Sequence, residues 1–340
     1  MTYRANTRKY ILTALIVSLG FSIYTATRPV HDYPTGKPGV EKIIVVSDGE
    51  FGAAIAKELQ SRGIIKEASV FIALANQPSS GAQGISPGSH RIESHISSTE
   101  ALSQLLDRKR FTNMVNIVEG TTLSDVLKVV EKDANISKSI SATAAIRKVK
   151  PFLSNTRGSL EGQLFPASYT FAPGTTLQEA IQAMVSKFSV KSRELKLENG
   201  LNSYNSYQVL TIASMVQIEG DAGDFAKVAG VIYNRLRIGM PLQLNSTVQY
   251  AAGLRGQIAL STAATKIDSP YNTYKYVGLP PTPISNPGEL AIRAALNPQV
   301  SDYLYFITVK PHDTRFTKDY AEFEKWVTEY NKNRAAGAFK

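Results

Sequence analysis

The sequence feature that most restricts the fold is an apolar run at residues 207–219 whose only charged residue is its last. Ile212, Met215 and Val216 lie seven, four and three residues before Glu219, so at helical spacing the four side chains share one face. The run predicts a core helix with a carboxyl group on its apolar side. Burial penalises the charged form, so the pKa of Glu219 should be raised, as a general acid requires. A buried glutamate satisfied by an arginine or a backbone group would give the same pattern.

Length and composition limit the class of protein. A chain of 340 residues with 43% hydrophobic and 19% charged residues has room for two globular domains and a tail. The absence of cysteine excludes thiol catalysis, disulfide bonds and cysteine zinc sites. The formal charge of +10 suits a nucleic acid, an anionic membrane surface or an acidic polymer such as bacterial cell wall. We predict no nucleic-acid partner, because no binding motif and no long basic run is present.

The N-terminal segment has the pattern of a membrane anchor. Arg4, Arg8 and Lys9 precede an uncharged stretch at 10–27 that is just long enough to cross a bilayer. Basic residues before the stretch keep that end in the cytoplasm, so residues 1–9 are a predicted cytoplasmic tail. We therefore expect a single-pass protein of the cell membrane, with its bulk outside the cytoplasm. A cleaved signal peptide is the alternative, although a small-residue cleavage site is matched only loosely.

The remaining chain is predicted to contain a linker and two folded parts. Residues 28–40 are rich in Pro and Gly and form the linker. Residues 41–149 predict a small α+β module, in the order strand, helix, helix, strand, helix. Residues 150–335 predict a mixed α/β domain. The expected fold class is α+β, with an N-terminal transmembrane helix, the small module and the larger domain.

Individual elements follow from hydrophobic patterns and capping signals. In the module, strands are predicted at 42–47 and 114–118, with helices around Ile55 and Leu59, at 98–108 and from Thr122. In the larger domain, helices are predicted from Thr176 toward Leu195, over 207–219, from Asp224 to Gly239, from Asn286 to Asn297 and over 322–333, with a strand at 303–308.

Several kinds of catalytic site are excluded. Residues 84–88 match the G-x-S-x-G pattern of serine hydrolases, but Pro87 has no N–H to offer an oxyanion hole. The chain has no phosphate-binding glycine loop, so we predict no nucleotide cofactor. We also predict no metal, because the histidines are scattered. The four histidines are His31, His90, His95 and His312.

What remains is a carboxylate together with amide and tyrosine side chains, which suit a polyhydroxylated ligand because they offer many hydrogen bonds and flat stacking faces. Each of these residues is equally compatible with ordinary turn chemistry. The candidate binding residues are Glu161, Tyr169, Asn234, Arg235, Gln243, Asn245, Tyr271, Asn272 and Tyr274.

Six segments in order and at matching spacing resemble the endolytic murein transglycosylases, the YceG-like family. The segments are residues 160–169, 213–219, 231–243, 269–274, 278–284 and 302–306. The N-terminal anchor and the module also fit the layout of that family, in which the module would be a LysM-like subdomain and 150–335 the YceG-like catalytic domain. The resemblance implies that Glu219 is the catalytic acid, with the amide and tyrosine residues as substrate contacts.

The sequence departs from the family pattern at several positions. Gln217 stands where the family often has a second glutamate, so Glu219 would act without a carboxylate partner on its helix. We include Gln217 among the expected substrate contacts. Asn245 and Ala167 replace aspartates of the family. Near its C-terminal end the family has a pattern with two histidines. This chain has His312 at the first of them and Phe323 at the second.

The reaction that the resemblance implies is non-hydrolytic cleavage between N-acetylmuramic acid and N-acetylglucosamine. Protonated Glu219 would donate to the glycosidic oxygen and then take a proton from the muramyl C6 hydroxyl as it attacks C1, leaving a 1,6-anhydro end. One carboxylate suffices, because the substrate supplies the nucleophile. A hydrolase would need a second carboxylate at roughly 5 to 9.5 Å. Asp221 and Asp224 are the nearest in sequence, and both are predicted to be helix caps.

The resemblance also implies partners. These are peptidoglycan glycan strands, the cytoplasmic membrane through the N-terminal helix, and cell-wall synthesis proteins, with cleavage of nascent strands limiting their elongation. Two alternatives stay open: a membrane-anchored peptidoglycan-binding protein without activity, which the replaced acidic residues would explain, and a hydrolytic muramidase.

Overall fold

The computed structural model describes residues 32–46, 49–112, 114–154, 159–171, 174–254 and 264–339. The chain forms two compact units, Met1–Thr112 and Asn113–Lys340. The predicted cytoplasmic tail and membrane anchor lie outside the described residues. Within the described ranges, no helix is long and apolar enough to cross a bilayer.

The described residues of the first unit form a two-stranded antiparallel sheet and three α-helices. Its elements are β1 (Glu41–Val46), α1 (Gly52–Ser61), α2 (Ala68–Ala75), β2 (Gly88–Glu93) and α3 (Ser98–Leu106). β1 and β2 pair so that Ile44 stands opposite His90. α3 begins with a capping box between Ser97 and Glu100. The core side chains come from all five elements and include Ile44, Leu59, Phe71, Ile92 and Leu105.

Two elements of this unit, β2 and α2, are absent from the predicted order. β2 has only one large apolar residue, Ile92, so its strand signal is weak, and the strand is fixed by pairing with β1. α2 is a short apolar run, which periodicity alone does not separate from a buried strand. The predicted loop at 77–88 holds two short 3₁₀ turns, Pro78–Ser80 and Ala82–Gly84.

The second unit starts earlier in the chain than the predicted boundary between 149 and 150. Its first elements are β3 (Met114–Asn116), α4 (Leu123–Val130), β4 (Ile136–Ser137), α5 (Ala142–Lys148), β5 (Ser168–Thr170), β6 (Thr175–Thr176) and α6 (Leu177–Glu194). β3 pairs antiparallel with β5, and β4 pairs in parallel with β6. Both pairs join segments from the two sides of the predicted boundary. The LysM-like character of residues 41–149 stays a prediction.

The main core of the second unit is centred on α7 (Ser206–Glu219), which confirms the helix predicted over 207–219. Every side chain from Val209 to Val216 is buried, so α7 is enclosed around its circumference. A capping box between Asn205 and Gln208 fixes its start. The helices that pack against α7 are α8 (Phe225–Arg237), α9 (Asn245–Ala252) and α10 (Glu289–Leu296).

Two predicted capping residues act differently in the structure. Asp224 occupies the N-cap position of α8 without a side-chain cap, because its carboxylate pairs with Lys227 at 3.0 Å. Asn286 does not open α10, which begins after Gly288. Its side chain instead accepts a hydrogen bond from the Leu164 N–H and donates one to a backbone carbonyl, tying α10 to distant loops. Gly239 ends α8 as predicted, with a positive φ of +67°.

The C-terminal segment forms a hairpin and a helix. β7 (Tyr305–Lys310) pairs antiparallel with β8 (Asp313–Thr317), and α11 (Tyr320–Ala335) follows. The predicted strand at 303–308 is displaced by two residues, and β8 was not predicted because its polar residues give a weak strand signal.

Candidate active site

Glu219 is the last residue of α7 and faces the start of α9. Its Oε1 accepts a hydrogen bond of 3.0 Å from the backbone N–H of Ser246, the second residue of α9. The first N–H groups of a helix have no partner within the helix, and they carry partial positive charge. The end of one helix therefore presents its carboxyl group to the electropositive end of another.

The surroundings of Glu219 favour its protonated form. Glu219 as a whole residue is intermediate in exposure, and the dense protein around its carboxyl group desolvates the charge. This desolvation raises the pKa of Glu219, and the Ser246 hydroxyl and N–H oppose the rise without cancelling it. The Ser246 hydroxyl is close enough to act on the charge but makes no well-formed hydrogen bond. The upward direction of this pKa shift is the one predicted from the apolar helical face on which Glu219 lies.

Two of the predicted binding residues meet beside Glu219. The Tyr274 hydroxyl donates a hydrogen bond of 2.7 Å to Oδ1 of Asn245, the neighbour of Ser246. Burial raises the pKa of Tyr274, the negative charge of Glu219 adds to the rise, and Arg235 opposes it. Both Asn245 and Tyr274 are partly exposed. Together with Glu219 they form a polar cluster whose three residues are each partly exposed.

Arg235 supports this cluster from inside the protein. Its side chain is buried, Nε donates to the carbonyl of Leu304 at 2.6 Å, and Nη1 donates to Pro241 at 3.2 Å and Leu242 at 2.8 Å. The guanidinium lies 5.2 Å from the centroid of the Tyr305 ring. Arg235 therefore joins α8 to the loop before α9 and to the segment before β7.

Three further amides also bond to backbone groups. Gln217 accepts from the N–H of Gly288 at 2.8 Å, and as the second residue before Glu219 it points to another side of α7. Asn234 donates to the carbonyls of Ser301 and Tyr303 at 2.9 and 3.0 Å. Asn272 is fully buried and donates to Thr265 and Ile267 at 2.9 and 2.8 Å. Their amide groups are thus used to hold loops in place.

Gln243 and Tyr169 have opposite environments. Gln243 is exposed, with a φ of +51°, and its backbone N–H donates to the Thr273 carbonyl at 3.0 Å. Tyr169 is buried and donates its hydroxyl to the Phe165 carbonyl, and burial raises its pKa. Gln243 adjoins the Glu219 cluster along the chain, whereas Tyr169 belongs to the core of the unit.

The remaining predicted residues, Glu161 and Tyr271, meet at Tyr250 of α9. Glu161 is buried and accepts a hydrogen bond of 3.0 Å from the Tyr250 hydroxyl. The rings of Tyr250 and Tyr271 lie 5.0 Å apart. Sequence analysis missed Tyr250 and Ser246, as it missed the helix that carries them. The Asn-Ser-Thr sequence at 245–247, typical of a helix start, was the available signal.

Asp221 and Asp224 do not have the predicted capping roles. Asp221 lies 3.0 Å from Nδ1 of His312, with both side chains exposed, and Asp224 pairs with Lys227. Among the residues that the structure describes, burial and Ser246 account for the Glu219 shift, with no contribution from a second carboxylate. In the same part of the chain, no group of three histidine or acidic side chains is arranged to hold a metal ion.

The sequence profile of the YceG-like family matches residues 44–329. The chain belongs to the YceG-like family. This confirms the resemblance that the six segments indicate, and it places the Glu219 cluster inside the matched region.

Proteins similar to this YceG-like chain include two named enzymes and one protein of known structure. The endolytic murein transglycosylase of Bacillus subtilis is 32% identical over 305 residues, which cover 84% of each chain. That of Streptococcus pneumoniae strain D39 is 30% identical over 303 residues, and the match spans only 53% of its length. The crystal structure of a putative yceG-like protein from Listeria monocytogenes has a TM-score of 0.56 and 25% identity, covering 84% of this chain and 98% of that one.

Proposed function

We propose that this protein is a peptidoglycan lytic transglycosylase that cuts inside glycan strands and leaves 1,6-anhydro ends. The observation that carries the proposal is the desolvated Glu219 carboxyl at the end of a buried helix, beside Asn245 and Tyr274. Its YceG-like relatives in Bacillus subtilis and Streptococcus pneumoniae are named endolytic murein transglycosylases. A lyase acting on peptidoglycan therefore agrees with both the chemistry of the site and the family.

The surroundings of Glu219 suit both halves of the proposed reaction. Desolvation raises the pKa of Glu219 and so favours the protonated carboxyl, which can donate its proton to the glycosidic oxygen as the bond to C1 breaks. The resulting carboxylate is stabilised by the Ser246 N–H at the start of α9. It then takes the proton of the muramyl C6 hydroxyl while that oxygen bonds to C1. Water is not consumed, and Glu219 ends in its starting form.

The substrate contacts that we propose are the accessible residues of the cluster. Gln243, Asn245 and Tyr274 are at least partly exposed. Tyr274 and Asn245 lie beside Glu219, and Gln243 is two residues before Asn245 in the chain. Buried Arg235 and Asn272 would act indirectly, by holding the loops that carry these contacts. Gln217 and Asn234, which bond to backbone groups, would act in the same way.

Analysis of the released products tests the proposed reaction. Incubation of the purified protein with sacculi is expected to release muropeptides with anhydro ends, each one water lighter by mass spectrometry than the same fragment with a reducing end. Products with reducing ends would instead identify a hydrolytic muramidase. Binding to sacculi without any release would identify a wall-binding protein.

We further propose that residues 10–27 anchor the protein in the cytoplasmic membrane, where it meets nascent glycan and the proteins that synthesise it. The uncharged stretch and the basic residues before it support this. In cell fractionation, the full-length chain is expected in the membrane pellet after a high-salt wash, with residues beyond 40 digested by protease added outside. Recovery of a shortened, soluble chain would show that the segment is a cleaved signal peptide.

A further inference from the structure

Glu161 is a buried carboxylate of the second unit, and both of its oxygens accept hydrogen bonds. Oε1 accepts from the backbone N–H of Leu123 at 2.9 Å, at the start of α4, and Oε2 accepts from the Tyr250 hydroxyl at 3.0 Å. The residue is 2% exposed. A side chain so enclosed is poorly placed to bind a polymer, so its effect must pass through the groups it holds.

One of those groups is on the helix that contacts Glu219. Ser246 and Tyr250 are four residues apart in α9, so they lie on the same side of the helix, one turn apart. Ser246 contacts Glu219, and Tyr250 contacts Glu161. α9 has only eight residues, and a helix this short depends on tertiary contacts for its position. Two carboxylates from distant parts of the sequence therefore hold one short helix, Glu219 at its N-terminal end and Glu161 through the side chain of Tyr250.

The surroundings of Glu161 are closely packed. Gly162, the next residue, has a φ of +85°, and a Cβ there would lie 2.7 Å from the Pro283 ring, so the turn requires glycine. Tyr250 packs against Tyr271, whose hydroxyl lies 2.8 Å from that of Thr282, the neighbour of Pro283. The turn at Glu161 and the aromatic partner of Tyr250 are thus both packed against the Thr282–Pro283 segment.

We propose that Glu161 is a positioning residue that acts through Tyr250 to hold α9 in the orientation that keeps the Ser246 N–H on Glu219. The effect on catalysis rests on the proposed function, whereas the effect on the proton affinity of Glu219 does not. If α9 turns or shifts, the Glu219 carboxylate loses the donor that stabilises it, and its proton affinity increases. Tyr274 is the titratable group that faces Glu219, with Arg235 beyond it; Tyr274 donates its hydroxyl to Asn245, and Arg235 donates to backbone carbonyls.

The test removes one hydroxyl. Tyr250→Phe keeps the ring against Tyr271 but cannot donate to Glu161. The alkaline limb of the pH profile of anhydromuropeptide release is expected to move upward by about one pH unit, with about a tenfold fall in the maximal rate. Glu161→Gln should shift the profile in the same direction, because the amide is a weaker acceptor for the tyrosine hydroxyl.

A matched control is Tyr233→Phe, which also removes a partly buried tyrosine hydroxyl from the second unit. The Tyr233 hydroxyl donates to the Ala295 carbonyl at 2.9 Å, away from α9. Its loss is expected to leave the pH profile unchanged. If folded Tyr250→Phe and Glu161→Gln proteins both keep the profile of the unchanged chain, or if Tyr233→Phe shifts it equally, the positioning role is wrong.

The protonation of Glu219 can also be followed without activity. The difference in unfolding free energy between the chain and its Glu219→Gln variant, measured against pH, gives the proton affinity of Glu219 through linkage. When the comparison is repeated in the Tyr250→Phe background, the difference in unfolding free energy should appear at a higher pH. An unchanged pH dependence would contradict the proposal. If the unchanged protein releases no anhydromuropeptides but the stability curve still moves in the Tyr250→Phe background, the proposed function is wrong and the positioning role of Glu161 stands.

Discussion

Replacement of Glu219 by Gln is expected to reduce the release of anhydromuropeptides from purified sacculi by at least about a hundredfold, because the amide has no proton to give to the glycosidic oxygen. The fold should be retained, since the amide oxygen can still accept the 3.0 Å hydrogen bond from the Ser246 N–H. Product quantification by liquid chromatography and mass spectrometry checks the loss. Release at the unchanged rate would remove Glu219 from the mechanism.

The same substitution has an expected effect on stability. Burial raises the pKa of Glu219 above its ordinary value of 4.5, so the folded state binds the proton more tightly than the unfolded state. The stability that this provides is complete below pH 4.5 and is lost as the pH rises through the folded-state pKa. At neutral pH, Glu219→Gln should therefore be at least as stable as the unchanged chain. Activity should fall over the same pH range, as the acid loses its proton.

Asp221→Asn and Asp224→Asn are the matched controls for Glu219→Gln. Each exchanges a carboxylate for an amide within five residues of Glu219, and the two carboxylates pair with His312 and Lys227 instead. Both variants are expected to keep most of the activity. A loss as large as that of Glu219→Gln, together with products that carry reducing ends, would favour a two-carboxylate hydrolase.

Replacement of Arg235 by Met is expected to destabilise the protein by about 3–5 kcal/mol, because it removes the donor from three backbone carbonyls in a buried region. The loss should appear as a lower urea midpoint at an unchanged slope. Methionine fills much of the volume of the arginine stem, so the missing hydrogen bonds dominate the effect. Activity should fall as well, since the loop before α9 is released.

Arg237→Met is the control on the same helix. Arg237 is exposed and makes one side-chain contact of 3.3 Å with Asn234 in the described structure. Its replacement should change the unfolding free energy by less than about 0.5 kcal/mol. Equal effects of the two substitutions would show that the Arg235 hydrogen bonds do not stabilise the fold.

The elements that sequence analysis predicts correctly are those whose signals are local. The helix over 207–219 follows from its apolar periodicity, and the start of α6 follows from the capping box at Thr176. α9 was missed because its polar first turn, Asn-Ser-Thr, precedes too short an apolar pattern to indicate a helix. The chain divides after Thr112, before the boundary predicted at 149/150, because β3 pairs with β5 on the far side of that boundary, and such pairing leaves no local trace.

The predicted binding residues divide in a similar way. Residue type alone put Arg235, Asn272 and Tyr274 in one group, because arginines, amides and tyrosines suit both sugars and loops. Only their positions distinguish buried Arg235 and Asn272, which bond to backbone carbonyls, from Tyr274, which reaches the Glu219 cluster.

By itself, the sequence determined that Glu219 stands on an apolar helical face and that six ordered segments carry a family resemblance, because periodicity and motif order are properties of the linear chain. Only the tertiary structure decided which groups meet that carboxyl. Ser246 follows Glu219 and Glu161 precedes it, both at a distance along the chain, yet the single helix α9 contacts both carboxylates. The balance between desolvation and the Ser246 donor sets the proton affinity of Glu219, and it exists only after these segments have packed together.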